Sequence, residues 1–445
     1  MKLLFSLLSL TLIINASESI TLDEAINTLK SQNLEIQAAV LEVSSAQENT
    51  KTASGNHYGK LEFTQDFASS DDAGNVFGFK LSSREATFND FGFSQFGQIT
   101  NSTPPGDLNY PDTQNYYQSK LKYEVPVFTG FKISSYSSIM KSMAKMKTLE
   151  KDQVINEKIY QIRKSFYDMS LLNNSTKNLT TIFNNIEKLE DMTQNMLDVG
   201  YAKKVDLLEV QAKKGNVKRL LNQMESNKQL LYHYISFLLN KKVTSIKTPT
   251  YDVPMPLFSN EDILNNNLDI KRASTGLEVR KSMIDVAESS YYPMVGAFGE
   301  ITTADDTFLG DAGKHKAYTV GARLTWNIFN GGIDSANHEK AKLEHLKTQT
   351  QVQLAQKGIE LKIAKIRTEI SSFDSDISSL ENELNLANEI YKNYEGRYLE
   401  KLSSMSDVII KQSEQIQKIL ELQMVHNKRN ERIFALEKLA NGEEK

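Results

Sequence analysis

Between Ile359 and Tyr398 the apolar positions are Ile359, Ile363, Ile366, Ile370, Phe373, Ile377, Leu380, Leu384, Ala387, Tyr391, Tyr394 and Tyr398. Steps of four and three alternate, which is a heptad seam. A straight helix drifts off such a repeat, so a seam kept this long predicts a left-handed supercoil with a partner helix. No proline lies between Gly332 and Lys445 to break it. A second proline-free block carries the helical period at Ile155, Ile159, Ile162, Phe166 and Met169, and again at Leu179, Ile182, Ile186 and Leu189. Gly200 marks a turn. The pattern predicts long helices over 131–199, 203–240, 333–399 and 404–441.

Elsewhere the period drops to two. Leu61, Phe63 and Phe67 alternate with Lys60, Glu62, Thr64 and Asp66. Tyr117, Leu121, Tyr123, Val125 and Val127 oppose Gln118, Lys120, Lys122 and Glu124, and Tyr318, Val320, Ala322, Leu324, Trp326 and Ile328 oppose Thr319, Gly321, Arg323, Thr325 and Asn327. With a less regular segment after Pro293, these predict four strands at about 58–68, 115–128, 292–302 and 317–329, each with one apolar and one polar face. Residues 69–114, rich in Asp, Asn, Ser, Gly and Phe, read as a long loop with a short strand at Val76–Leu81. Thr21 followed by Glu24 forms a capping-box signature that opens a helix running with interruption to about Ala53.

The chain repeats itself. Leu34-Glu-Ile36 returns as Leu268-Asp-Ile270 at an offset of 234 residues. Further on the offset is 201: Phe128 maps to Phe329, Gly130 to Gly331, Ile162 to Ile363, Asp206 to Asp407, Gln211 to Gln412 and Leu221 to Leu422. The difference of 33 residues falls between the two strands of each pair. This predicts a tandem duplication: a first repeat over 17–245, a proline-rich linker over 246–256 holding Pro249, Pro254 and Pro256, and a second repeat over 257–445. Each repeat reads helix, strand, strand, long helix, turn, helix. The longest helices span roughly 100 Å at ~1.5 Å per residue. Their returning partners are half as long, so the segments 21–53 and 258–290 are expected alongside the other half, in a helical cylinder with strands at one end and turns at the other.

Composition adds three constraints. A net charge of −4 over 445 residues does not suggest nucleic acid. With no cysteine, disulfides, thiolate metal sites and an N-terminal lipidated cysteine are excluded. Lys2, an apolar run over Leu3–Ile14 and the small residue Ala16 read as a signal peptide over 1–16, and no later segment is apolar enough to be a spanning helix. An exported chain without such a helix is periplasmic, secreted or a membrane β-barrel. Four strands cannot close a barrel, since about eight is the lower limit, but several chains contributing four each could. The six histidines are scattered without metal-ligand spacing, and no phosphate loop or nucleophile elbow is present. No enzyme, cofactor or metal is expected.

The order Leu22-Asp-Glu-Ala25, Val127-Phe128-Thr-Gly130, Asp198-Val-Gly200-Tyr, Val205-Asp206-Leu-Leu-Glu-Val-Gln211, Tyr292-Pro293 and Ile328-Phe329-Asn-Gly-Gly332 resembles the TolC-type outer membrane efflux proteins, over essentially the whole chain after the leader. The resemblance implies a mainly α fold with a small β part: duplicated coiled-coil hairpins and four strands, contributed to a homotrimer with a 12-stranded transmembrane β-barrel and a periplasmic α-helical tunnel. It implies a passive exit duct in the outer membrane for a tripartite efflux pump or type I secretion system. Its partners are then outer membrane lipid, a periplasmic adaptor (membrane fusion protein) and an inner-membrane pump or ABC exporter. The alternative from a different class is a periplasmic coiled-coil adaptor or structural protein without a barrel.

The same resemblance assigns site residues. Asp407 falls at a gate aspartate of the periplasmic constriction, where three copies would repel each other by ~1 kcal/mol per pair even in water at 4 Å. Tyr398 and Asp206 match a tyrosine and its acceptor that tie the closed tip, and Ser403 stands where that network has an arginine. The second acidic ring is absent, its position being Ile410. Asp407 and Asp206 equally fit helix caps, and Tyr398 the last knob of the seam. The exposed turns, with Val199, Gly200, Tyr201, Leu402 and Ser404, are the expected adaptor contacts, and Tyr117, Leu121, Tyr123, Tyr318, Leu324 and Trp326 the expected lipid-facing residues.

Overall fold

A computed structural model describes residues 19–249, 253–308 and 313–441. The segment expected to be a signal peptide, and the centre of the linker, lie outside the described residues. In chain order the elements are α1 (Leu22–Gln32), α2 (Leu34–Gly55), β1 (Lys60–Ser70), α3 (Ala73–Ser82), α4 (Gly106–Asn109), β2 (Gln114–Phe128), α5 (Lys132–Asp198) and α6 (Lys204–Leu239). The second half follows with α7 (Asn260–Asn266), α8 (Leu268–Glu288), β3 (Met294–Asp305), β4 (Lys316–Thr325), α9 (Ile333–Leu399) and α10 (Met405–Ala440). The fold is mainly helical with one small sheet. Among the described residues no helix is long and apolar enough to cross a membrane.

The chain divides into two compact units. Among the described residues, the helical unit holds those up to Ser44, those of Met146–Ser274 and those from Thr350 on. Its cores display the duplication side chain by side chain. Leu29, Ile162, Phe166, Met169, Ile235 and Leu238 pack together from the first repeat, and Ile263, Ile363, Ile366, Ile370, Ile433 and Leu436 from the second. Ile162 and Ile363 hold equivalent places, as do Met169 and Ile370. Each fully buried aliphatic chain contributes ~1.5–3 kcal/mol, so the repeat is held by the same burial twice. Arg163 and the buried Glu437 link the two repeats at 2.6 Å.

A third core joins the hairpin ends of both repeats: Leu179, Ile186, Leu189, Val210 and Val217 meet Tyr391, Tyr398, Met405, Val408 and Ile416. The α9 seam is therefore buried at Ile359–Ile370 and again at Tyr391 and Tyr398. Its middle, Phe373 to Ala387, is only half-buried within one chain. The two long helices are each 67 residues and their returning partners each 36.

The second unit spans Ser45–Lys145 and Thr275–Gln349 and carries an antiparallel sheet in the order β1-β2-β3-β4. The register pairs Phe63 with Leu121, Leu121 with Ile301 and Ile301 with Tyr318, so one row of apolar residues crosses all four strands on one face. The ladder ends where Met294 meets Thr325, because Pro293 has no N–H to extend it. Trp326 to Phe329, expected within the strand, lies beyond it.

The β1–β2 connection differs from expectation. Val76–Leu81 is not a strand but the body of α3, whose N-cap Asp72 accepts the Asn75 N–H at 3.0 Å. The rest of the connection holds two 3₁₀ turns and α4 instead of open loop. Phe79 stacks on Tyr116 at 4.3 Å between ring centroids, seating α3 on β2.

Candidate functional site

Two regions carry the sequence-predicted residues. The first is the pair of helix-to-helix turns. In the first repeat Gly200 adopts φ +78° and the Tyr201 N–H reaches the Met196 carbonyl at 2.7 Å. In the second, Lys401 takes the same left-handed role at φ +61° and the Leu402 N–H reaches the Arg397 carbonyl at 2.8 Å. The two ends are one C-cap motif, but the second places an L side chain where glycine is favoured. Val199, Tyr201 and Leu402 stand more than three-fifths exposed beside exposed Gly200 and Ser404.

Asp407 sits in the first turn of α10. Its carboxylate accepts from the Ser404 N–H at 3.1 Å, the Ser404 hydroxyl at 2.6 Å and the Ser403 hydroxyl at 3.2 Å, while its own N–H donates to Ser404 Oγ. The Ser404 side chain and backbone donors, then Ser403 and the Arg397 charge, hold this carboxyl below its ordinary 3.8. Asp206 accepts the Lys203 N–H at 2.9 Å in the equivalent turn. Tyr398 is buried. Burial pushes its phenol up, the Thr193 side chain beside its hydroxyl partly offsets that effect, and the nearby Asp206 carboxylate adds to it.

Contacts between the turns were not foreseen. Lys401 Nζ lies 3.5 Å from the centroid of the Tyr201 ring, and the Ser406 hydroxyl donates to Glu209 at 2.8 Å. Lys213, whose ammonium burial drives its pKa down, donates to Ser413 Oγ at 2.6 Å. Gln412 is fully buried with both amide atoms unpaired among the described residues. Such orphans each cost ~1–3 kcal/mol, so the core under the turns is less than maximally stable.

The second region is the sheet. Leu61, Phe63 and Phe67 on β1, Leu121 and Tyr123 on β2, Ile301 on β3 and Tyr318, Val320 and Leu324 on β4 are all exposed and share one face. The Tyr123 hydroxyl donates to the Tyr58 carbonyl and the Trp326 indole to the Tyr291 carbonyl. Tyr117 is half-buried under Phe67 and Phe308. The opposite face carries Lys122, Glu124, Glu300 and Arg323 around a concavity of about 440 Å³. There Phe298 lies over Gly321, where an added Cβ would come within 2.7 Å of the ring. Among the described residues β1 and β4 each leave one edge unpaired. A contiguous exposed apolar face of this size marks a contact surface with lipid or protein.

The fold is shared with outer membrane proteins of known structure. The structure superposes on CusC with a TM-score of 0.79 at 13% identity, covering 95% of this chain and 92% of that one. On VceC of Vibrio cholerae the TM-score is 0.77 at 15% identity, over 95% and 96% of the two chains. Residues 260–442 match the family described as outer membrane efflux protein. Nodulation protein T of Rhizobium leguminosarum bv. viciae is 26% identical over 163 residues, which is 34% of this chain and 33% of that protein. Fusaric acid resistance protein FusA of Burkholderia cepacia is 26% identical over 163 residues, 34% and 30% of the two chains. The chain spans no more than about half the length of the curated relatives it matches.

Proposed function

We propose that the chain forms the outer membrane exit duct of a tripartite efflux pump or type I secretion system. The observation that carries this reading is the four-stranded sheet with an exposed apolar face, a charged opposite face and two open edges. Exposed edges invite pairing with another chain, and four strands alone cannot close. Three copies, joined β4 to β1, give twelve strands with Tyr318, Leu324 and Tyr123 toward lipid and Lys122, Glu300 and Arg323 toward the lumen. The half-buried middle of the α9 seam gains its remaining cover from neighbouring protomers.

The duct does no chemistry. Its turns, with exposed Val199, Tyr201 and Leu402, receive a periplasmic adaptor, which couples it to an inner-membrane pump or ABC exporter. Opening is a repacking between two states of one helical interface. Asp407 lines the constriction in three copies, with Asp206, Tyr398 and Ser403 in the contacts that hold it shut. The capping bonds of Asp407 support this, because they keep it ionised and fixed at the turn. The relatives named for fusaric acid resistance and nodulation support export as the task.

Extraction of native membranes tests the reading. A barrel resists carbonate, needs detergent, migrates as a heat-modifiable trimer and conducts ions in planar bilayers. Release by carbonate as a monomer without conductance would establish the periplasmic coiled-coil alternative.

A further inference from the structure

We propose that Glu85, Asp305 and His315 form a binding site for a first-row divalent metal ion of the zinc class. One ligand atom from each of the three lies within 4.8 Å of the other two. They arrive from three separate stretches: Glu85 follows α3, Asp305 ends β3 and His315 immediately precedes β4. All three lie in the sheet-bearing unit.

The local structure aims them. Arg84 adopts φ +58°, a left-handed conformation rare for a side chain of its size, and this turns the chain so that Glu85 departs from the axis of α3. The Glu85 N–H caps the Lys80 carbonyl at 2.9 Å, and the buried Ser83 hydroxyl donates to one Glu85 oxygen at 2.9 Å. Asp305 is only 6% exposed and is braced by the Asp306 N–H at 2.8 Å. A bracing partner for a carboxylate ligand is what a metal site requires around its direct ligands. The second observation is on the imidazole. His315 Nδ1 is buried and has no hydrogen-bond partner among the described residues. A buried, unpaired ring nitrogen on an imidazole that also reaches two carboxylates costs stability unless something occupies its lone pair or takes its proton.

The donor set selects the ion. One imidazole nitrogen with two carboxylates suits zinc, nickel, copper(II) or cobalt, whereas calcium and magnesium take oxygen alone and copper(I) wants sulfur. Ligands at ~2.0–2.1 Å around a tetrahedral ion sit about 3.4 Å apart, so the side chains close inward slightly, with exposed Glu85 the easiest to move. Three protein ligands leave a position for water. The ion would strap the turn after α3 to the base of the β3–β4 hairpin. The scattered sequence positions concealed the site, since no two of its residues have ligand spacing on one element.

The full chain, purified without a polyhistidine tag and stripped with chelator, tests this directly. Zinc titration followed by calorimetry should give one ion per chain, and cobalt(II) should give visible ligand-field bands that zinc displaces. His315→Gln and Glu85→Gln should each weaken binding at least ~10-fold, while His338→Gln, outside the cluster, leaves it unchanged. Unchanged heat-modifiable migration shows that each variant is folded, and exposed Glu85 carries the test if His315→Gln does not fold. Absence of stoichiometric binding by the folded chain, or binding undiminished in the folded variants, overturns the proposal.

Discussion

The buried side-chain amide of Asn33 donates to the Leu238 carbonyl at 2.8 Å, clasping the break between α1 and α2 to the last turn of α6. Its oxygen accepts from the Glu35 and Ile36 N–H groups and so caps α2. Asn267 repeats the arrangement on Leu439 at 3.0 Å and on the Ile270 N–H at 3.1 Å. The two offsets of the repeat, 234 and 201, are thus both written into one clasp made twice. Asn33→Ala or Asn267→Ala removes a cap and leaves a buried helix-end carbonyl unpaired, a loss of ~2–3 kcal/mol for each. Because the two clasps share no partner, the double variant should show close to the sum. Denaturant midpoints of the single and double variants measure this.

At the turns, Lys401 both occupies a left-handed backbone position and covers the Tyr201 ring. Those two effects separate by substitution. Lys401→Gly relieves backbone strain while losing the cation–π contact. Lys401→Ala loses the contact and keeps the strain, so it should be the less stable by about 1 kcal/mol. Tyr201→Ala should loosen both turns together. Hydrogen exchange over 196–204 and 397–405 reads this: faster exchange at the α9–α10 turn in the Tyr201 variant shows coupling, and an effect confined to its own turn shows none.

Asp407 gives a pH dependence with a definite sign. Its folded-state pKa lies below 3.8 because Ser404 and Ser403 donate to the carboxylate. Such a depressed carboxyl contributes its capping above the ordinary pKa and loses it as pH falls through the lower folded value. Cation selectivity in planar bilayers should therefore persist below pH 4, about where a free aspartate would be half-neutralised. Asp407→Asn should lower cation selectivity and weaken block by multivalent cations at neutral pH. Unchanged values would leave Asp407 as a helix cap alone.

What could be read from sequence was what repeats with a period. The heptad of α9 and the alternation in β2 and β4 stand out because burial on one side forces them, and the duplication doubled each signal. The Val76–Leu81 segment failed because Val, Phe and Leu favour strands by composition. The true signal there was Asp72, an N-cap three residues before the donor it serves. The Lys401–Tyr201 contact was within reach, since the offset of 201 sets Lys401 on Gly200 and so marks a side chain at a glycine position. The Glu85, Asp305 and His315 cluster was not, because only strand pairing and the α3 turn bring those stretches together.

The sheet makes the most direct prediction about the membrane. Tyr318 and Thr319 are neighbours in β4, but the register puts Tyr318 in a row with Ile301 and Leu121, and Thr319 in a row with Glu300 and Lys122. If the apolar row faces hydrocarbon, a charge there costs ~2–4 kcal/mol near the bilayer midplane, while the same charge one residue on meets water. Leu324→Arg and Val320→Arg should thus lower the yield of heat-modifiable trimer in the outer membrane, whereas Thr319→Arg should assemble normally and alter conductance. Gly321→Val, also on the polar face, should fail for a different reason, since its side chain collides with Phe298. Equal tolerance of arginine on both faces would mean that neither faces lipid, and the apolar row would then have to be covered by protein.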